Sequence, residues 1–142
     1  MLRIKYLLAL KGSTVWTIAP QAPVLEAIRL LAEKHIGALL VVKDGELVGI
    51  VSERDYARKV ILMGRSSAEL PVAEIMTTPV TTVSPDDTVH RCMEIITEQR
   101  IRHLPVVEKR KVVGIVSIGD LVKAVIEEQQ QTIDHLERYI AS

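Results

Sequence analysis

Shifted by 65 residues, this chain aligns with itself without a gap, residues 17–55 lying against 82–120. Fourteen of those 39 positions are identical, including Pro20/Pro85, Ile36/Ile101, Leu39/Leu104 and Val41-Val42/Val106-Val107. The densest block is Val48-Gly49-Ile50-Val51-Ser52 against Val113-Gly114-Ile115-Val116-Ser117. In both copies an aspartate follows three residues later, Asp55 and Asp120. A repeat of this length is one supersecondary unit used twice, too small to bury its own apolar face and therefore built to pack.

Each copy reads as β-α-β-β-α. A short strand (Val15–Ile18, then Val80–Val83) is broken by Pro20 or Pro85. An amphipathic helix follows, with Val24, Ala27, Ile28 and Leu31 on one stripe in the first copy and Val89, Cys92, Met93 and Ile96 in the second. Asp86 or Asp87 is the expected N-cap of the second of these helices. Two β-branched runs come next: Ala38–Val42 and Leu47–Val51 across Asp44-Gly45, then His103–Val107 and Val112–Val116 across a turn without glycine. A last helix begins at Ser52 or Ser117, and Gly64 ends the first copy. The expected organisation is an N-terminal extension over 1–14, a first repeat over 15–64, a linker over 65–79 with a helical turn at Val72–Met76, a second repeat over 80–126 and a C-terminal helix over 127–142. The fold class is α/β in the α+β sense: two repeats related by a pseudo-twofold axis in one compact module.

Composition removes several functions. Lys and Arg total 18, as do Asp and Glu, so the chain lacks the basic excess that nucleic-acid binding requires. Its single cysteine, Cys92, excludes an intrachain disulfide and a multi-thiolate metal site, and reads as a small buried hydrophobe. No apolar run approaches the roughly 20 residues of a membrane span. The opening MLRIKYLLAL carries Arg3 and Lys5 and is followed by Lys11-Gly12 in place of a cleavage site, so it reads as a short amphipathic element of a cytoplasmic protein. His35, His90 and His135 show no metal-ligand spacing with each other or with Cys92.

The chemistry concentrates where a strand turns into a helix: Gly49-Ile50-Val51-Ser52-Glu53-Arg54-Asp55 and Gly114-Ile115-Val116-Ser117-Ile118-Gly119-Asp120. A helix start offers unpaired N–H groups and partial positive charge to a phosphate. Ser52 and Ser117 add a hydroxyl, Asp55 and Asp120 can accept the two hydroxyls of a ribose, and Arg54 supplies a forked cation. The same Ser-x-x-Asp spacing also makes a capping box. Capping and ligand binding are expected to share these residues.

The segments GIVSERD and GIVSIGD, IGALLVV and IRHLPVV, and IMTTPVTTVSPDDTV resemble a tandem cystathionine-β-synthase (CBS) domain pair over roughly residues 12–126. The resemblance implies a stand-alone regulatory module that binds an adenine nucleotide in the cleft between the repeats, and dimerises. AMP is the first expected ligand, with ADP, ATP, NAD(H) or S-adenosylmethionine as alternatives. It implies ribose-binding roles for Asp55 and Asp120 and phosphate-side roles for Ser52 and Ser117. It places Ile36, Ile101, Ile50 and Ile115 beside the base, Met76 in the base pocket, and phosphate contacts at Arg102 and His103. Gly37 and Ala38 stand where the second copy has that basic pair, so the two sites are expected to differ.

No cofactor is expected beyond such a regulatory ligand, and no catalytic residues: the chain lacks a P-loop, a His-Glu-x-x-His motif and a credible triad. The expected partners are the nucleotide, a second copy of the chain and a regulated protein, without nucleic acid or membrane. A ligand-independent dimerisation scaffold is the alternative. At the C-terminus, Ile133, Leu136, Tyr139 and Ile140 form a one-sided stripe that either packs on its own domain or docks a partner. Gln129–Gln131 is expected to interrupt it with a break or exposed turn.

Overall fold

The computed structural model describes residues 1–141. It divides into two compact units. One is Val15–Thr81; the other joins Met1–Thr14 to the chain from Thr82 onward. The first repeat lies in the first unit. The second repeat, from Thr82 on, lies in the other unit, together with the N-terminal segment.

In the first unit β1 (Thr17–Ile18) pairs parallel with β2 (Ala38–Lys43), which pairs antiparallel with β3 (Glu46–Ser52). Helix α2 (Val24–Lys34) turns Val24, Ala27 and Leu31 onto this sheet, against Leu39, Val41 and Val51. It ends where His35 takes the left-handed conformation at φ 54°. Helix α3 (Glu53–Tyr56) follows β3 directly and widens into a π-turn over Ala57–Ile61. A 3₁₀ turn, Val72–Glu74, lies within the stretch expected to be helical.

The other unit repeats the plan with α4 (Val89–Gln99), β4 (His103–Glu108), β5 (Lys111–Ser117) and α5 (Ile118–Ala141). Leu104, Val106 and Val116 of the sheet meet Val89, Cys92 and Ile96 of α4 and Leu121 and Ala124 of α5. Three expectations are corrected here. The strand expected at Val80–Val83 contracts to one parallel bridge, Val83 to Val106. The reason is Pro105. In the first repeat the Leu40 amide donates to Trp16 O at 3.2 Å, and proline at the equivalent position has no N–H to give. The α4 N-cap is Thr88, whose Oγ1 accepts the Arg91 amide at 3.1 Å, while Asp87 turns back to accept the Ser84 amide at 2.7 Å. Finally, α5 runs unbroken through Gln129–Gln131, because glutamine is a good helix former whether or not it continues an apolar stripe.

Helix α1 (Ile4–Lys11) shows a second correspondence, at an offset of 68. The Ile4 amide donates to Asp87 O at 2.9 Å and the Val89 amide to Leu2 O at 2.9 Å. In the first unit the Val72 amide donates to Ala22 O and the Val24 amide to Leu70 O, both at 2.8 Å. Ile4 and Val72 are both fully buried. Leu8 lies on Gly114 and Met76 on Gly49, each so close that a Cβ on the glycine would sit under 3 Å from it. The segment before each repeat is thus a structural part of the other repeat.

The hairpin turns also correspond. Asp44 and Gly45 have φ of 53° and 79°, the two left-handed residues of a type I′ turn. Lys109 and Arg110 adopt 51° and 67° with no glycine between them. Arg110→Gly should therefore stabilise the protein by about 0.5–1 kcal/mol, the relief of left-handed strain less the entropy glycine adds to the unfolded chain. The expected reading is a melting temperature roughly 2–5 °C higher; a lower one would contradict this turn geometry.

Candidate functional site

Each repeat carries one aspartate at its strand-to-helix turn, and each aspartate is held by a capping box. In the first repeat Asp55 Oδ2 accepts the Ser52 amide at 2.9 Å and the Ser52 hydroxyl at 3.0 Å, while the Asp55 amide donates to Ser52 Oγ at 3.3 Å. In the second, Asp120 Oδ2 accepts the Ser117 amide at 2.8 Å and the Asp120 amide donates to Ser117 Oγ at 3.1 Å. The first helical amides are tied down too: Glu53 N–H to Gly37 O at 3.1 Å, Ile118 N–H to Arg102 O at 2.8 Å. The helix starts are therefore less open to a phosphate than spacing alone implies. Among the described residues of the second repeat, the Gly119 amide remains without a hydrogen bond.

Both carboxylates also meet a lysine, delivered by unrelated elements. Lys59 reaches Asp55 Oδ1 at 3.0 Å and donates to Ile75 O at 2.8 Å. Lys11, from α1, pairs with Asp120 Oδ2 and donates to Ile115 O at 2.8 Å. Thr77 Oγ1 adds a bond to Asp55 Oδ1 at 3.2 Å. Both Asp55 oxygens are thus committed, whereas Asp120 Oδ1 carries no hydrogen bond among the described residues. The neighbouring backbone differs likewise. Ile50 exchanges two backbone bonds with Thr77, at 3.1 and 2.8 Å, but the Ile115 carbonyl is covered by a lysine side chain that can swing away.

The remaining residues singled out in the sequence gather around these turns within their own repeats. Ile50 and Ile115 are half-buried opposite Leu40 and Pro105. Ile36 and Ile101 are half-buried just before β2 and β4, their amides closing the preceding helices on Leu31 O and Ile96 O. Arg54 is half-buried on α3, Arg102 is exposed, and Met76 packs over Gly49. His103 opens β4 opposite Ser117. Sequence reasoning missed Lys11, Lys59 and Thr77. The offset-68 correspondence would have placed the segment bearing Lys11 beside the second repeat.

The electrostatics follow from these contacts. Burial works against the charge on Asp120, but the Lys11 hydrogen bond, the Ser117 amide and the Lys11 charge outweigh it and hold the carboxyl below its ordinary value. His103 is pushed below the usual histidine value by burial first, then by Lys11 and Arg102, with Asp120 opposing. Burial, with Asp87 nearby, pushes the Cys92 thiol up to about 11. No cluster of three or more His, Cys, Asp or Glu capable of holding a metal occurs among the described residues.

The profile of the CBS domain matches residues 12–61 and 72–127, and the chain belongs to that family. It is 42% identical over 134 residues to the CBS domain-containing protein CBSX3, mitochondrial, of Arabidopsis thaliana, covering 91% of this chain but only 65% of that protein. The crystal structure of the CBS domain NE2398 superposes with a TM-score of 0.84 at 48% identity, covering 87% of this chain and 97% of that one. Two ligand complexes are similar at 28% identity. One is PAE2072 from Pyrobaculum aerophilum complexed with AMP (TM-score 0.78, 92% and 99% covered). The other is the CBS domain pair of protein MJ0100 in complex with 5′-methylthioadenosine and S-adenosyl-L-methionine (TM-score 0.80, 90% and 98% covered). Among the described residues no helix is long and apolar enough to cross a membrane.

Proposed function

We propose that this chain is a regulatory module that binds an adenosine ligand, AMP foremost, at the strand-to-helix turn of its second repeat. The observation that carries the reading is the uncommitted Asp120 Oδ1 beside the Gly119 amide. It is supported by the adenosine compounds bound to two similar CBS proteins. In this reading Asp120 takes the ribose hydroxyls, and Ser117, the Gly119 amide, Arg102 and His103 face the phosphate. Ile101 and Ile115 flank the base. The first repeat, with Ser52, Arg54, Asp55, Ile36, Gly37, Ile50 and Met76, forms a weaker and chemically different site. ADP, ATP, NAD(H) and S-adenosylmethionine share the adenosine group and compete for the same turn. No bond is made or broken.

Signalling follows from Lys11. A ligand that takes Asp120 and the Ile115 carbonyl displaces this side chain, so it binds the state with α1 loosened more tightly than the state with α1 docked. That differential affinity is what a population shift requires. A regulated protein would read the position of α1.

The test is calorimetric titration with AMP in buffers of different ionisation enthalpy. A phosphate beside His103 favours its protonated form, reversing the depression caused by burial, Lys11 and Arg102. Binding should therefore take up protons below pH 7 and tighten as pH falls through the histidine range. AMP itself titrates near pH 6, so the diagnostic quantity is the uptake lost in His103→Gln. Saturating AMP at a hundred-fold excess over its dissociation constant should also stabilise the protein by about 2.7 kcal/mol. The fully satisfied capping boxes favour a second reading, a scaffold that ignores ligands. Absence of a thermal shift with all five adenosine compounds would select it.

A further inference from the structure

Four ionisable groups from three stretches of the second unit converge on the end of α1. Lys11 closes that helix, donating to Ile115 O at 2.8 Å and pairing with Asp120. Asp120 in turn accepts the Ser117 amide at 2.8 Å, and its own amide donates to Ser117 Oγ at 3.1 Å. Since the Ser117 amide is spent on Asp120, Ser117 and His103 form the non-hydrogen-bonded kind of antiparallel pair, and the Ile118 amide bonds Arg102 O at 2.8 Å beside them. Residues so paired stand about 4.5 Å apart at Cα with both side chains on one face. The His103 side chain therefore leaves the sheet next to the hydroxyl that caps Asp120. With a neutral imidazole there, Lys11 and Arg102 share one carboxylate. An imidazolium makes a third cation at the same carboxylate, and Lys11 is a point charge on a flexible stem, the readiest of the three to leave.

We propose that His103 and Lys11 form a proton-sensitive latch: protonation of the imidazole drives Lys11 off Asp120 and releases the C-terminal end of α1 from the second repeat, with no nucleotide present. The sign follows from the surroundings of the ring. While α1 is docked, burial first, then Lys11 and Arg102, hold His103 below the ordinary histidine value, with Asp120 opposing. Undocking removes Lys11 and admits water, so the ring binds a proton more tightly and the undocked state takes one up. Docking is therefore fully favoured above the ordinary histidine value, about 6.5, and loses ground as pH falls below it. Asp120, held below its ordinary value, stays ionised throughout that range. His90 of α4 faces Glu128 of α5 at 3.8 Å; its protonation strengthens that contact and does not involve α1. The proton acts in the same direction as the adenosine ligand but on the ligand-free chain, so the two readings stand or fall separately.

Native-state hydrogen exchange on the full chain without ligand tests this, with the intrinsic pH dependence of exchange divided out. Protection of the α1 amides, and of the Gly12 amide that bonds Leu8 O at 2.8 Å, should fall by about three- to ten-fold between about pH 7.5 and 5.5. The amides of β2 and β3, in the other unit, should keep theirs. His103→Gln should abolish the fall. Lys11→Met should leave α1 less protected than the parent at both pH values, since the latch is then open throughout. In the parent, the His103 ring resonances should titrate over the range in which protection is lost, and Lys11→Met should move their midpoint upward. Protection of α1 that is indifferent to pH, an equal fall in His103→Gln, or an imidazole midpoint unmoved by Lys11→Met would each overturn the proposal.

Discussion

Asp120→Asn should weaken AMP binding by at least about ten-fold, while Asp55→Asn should change it by less than about three-fold. Asparagine keeps an acceptor for the Ser117 amide, so the helix start survives, which alanine would not guarantee. What it removes is the charge that strengthens hydrogen bonds to ribose hydroxyls, worth about 1.5–3 kcal/mol. The asymmetry between repeats arises because Asp55 is already spent on Ser52, Thr77 and Lys59. A ligand there must break protein contacts on both carboxylate oxygens, whereas in the second repeat it finds Oδ1 open and displaces only Lys11. Lys11→Ala should accordingly tighten AMP by roughly two- to five-fold, the worth of a partly exposed ion pair. Calorimetry on the three variants decides the matter. Equal losses at both aspartates, or none at Asp120, would end the assignment of the primary site.

The strands and helices inside each repeat were legible because period-2 and period-3.6 patterns reflect burial on one face, and the structure buries those faces. Leu39, Val41 and Val51 face the first core as their pattern requires, and Leu104, Val106 and Val116 the second. The Ser-x-x-Asp turns were legible as capping boxes for the same local reason. What the pattern hid was long-range. Residues 1–8 match the segment before the second repeat only after a three-residue shift, so the 65-residue alignment stops short of them. The lysines that neutralise the two carboxylates come from α1 in one repeat and from the turn after α3 in the other, and no alignment of equivalent positions joins them. The missing second-repeat strand, by contrast, was readable in principle, since Pro105 stands where Leu40 donates an amide. The continuity of α5 was misjudged because a polar stretch interrupts a stripe without interrupting a helix.

Because α1 completes the second repeat, Ile4→Ala should cost about 2–5 kcal/mol, as large-to-small changes at fully buried sites do. An appendage would lose almost nothing from the same change. The loss should be local in its pattern: hydrogen exchange should accelerate in β4 and β5 far more than in β2 and β3, whose core α1 does not enter. The consequence for binding runs the other way. Loosening α1 withdraws Lys11 from Asp120 and the Ile115 carbonyl. The weakened protein, studied below its melting point, should then bind AMP at least as tightly as the parent. Lower stability with undiminished affinity is the signature of a helix that both completes the fold and guards the site. Stability reduced by less than about 1 kcal/mol would show that α1 does not complete the second repeat, and affinity falling in step with stability would show that Lys11 does not compete with the ligand.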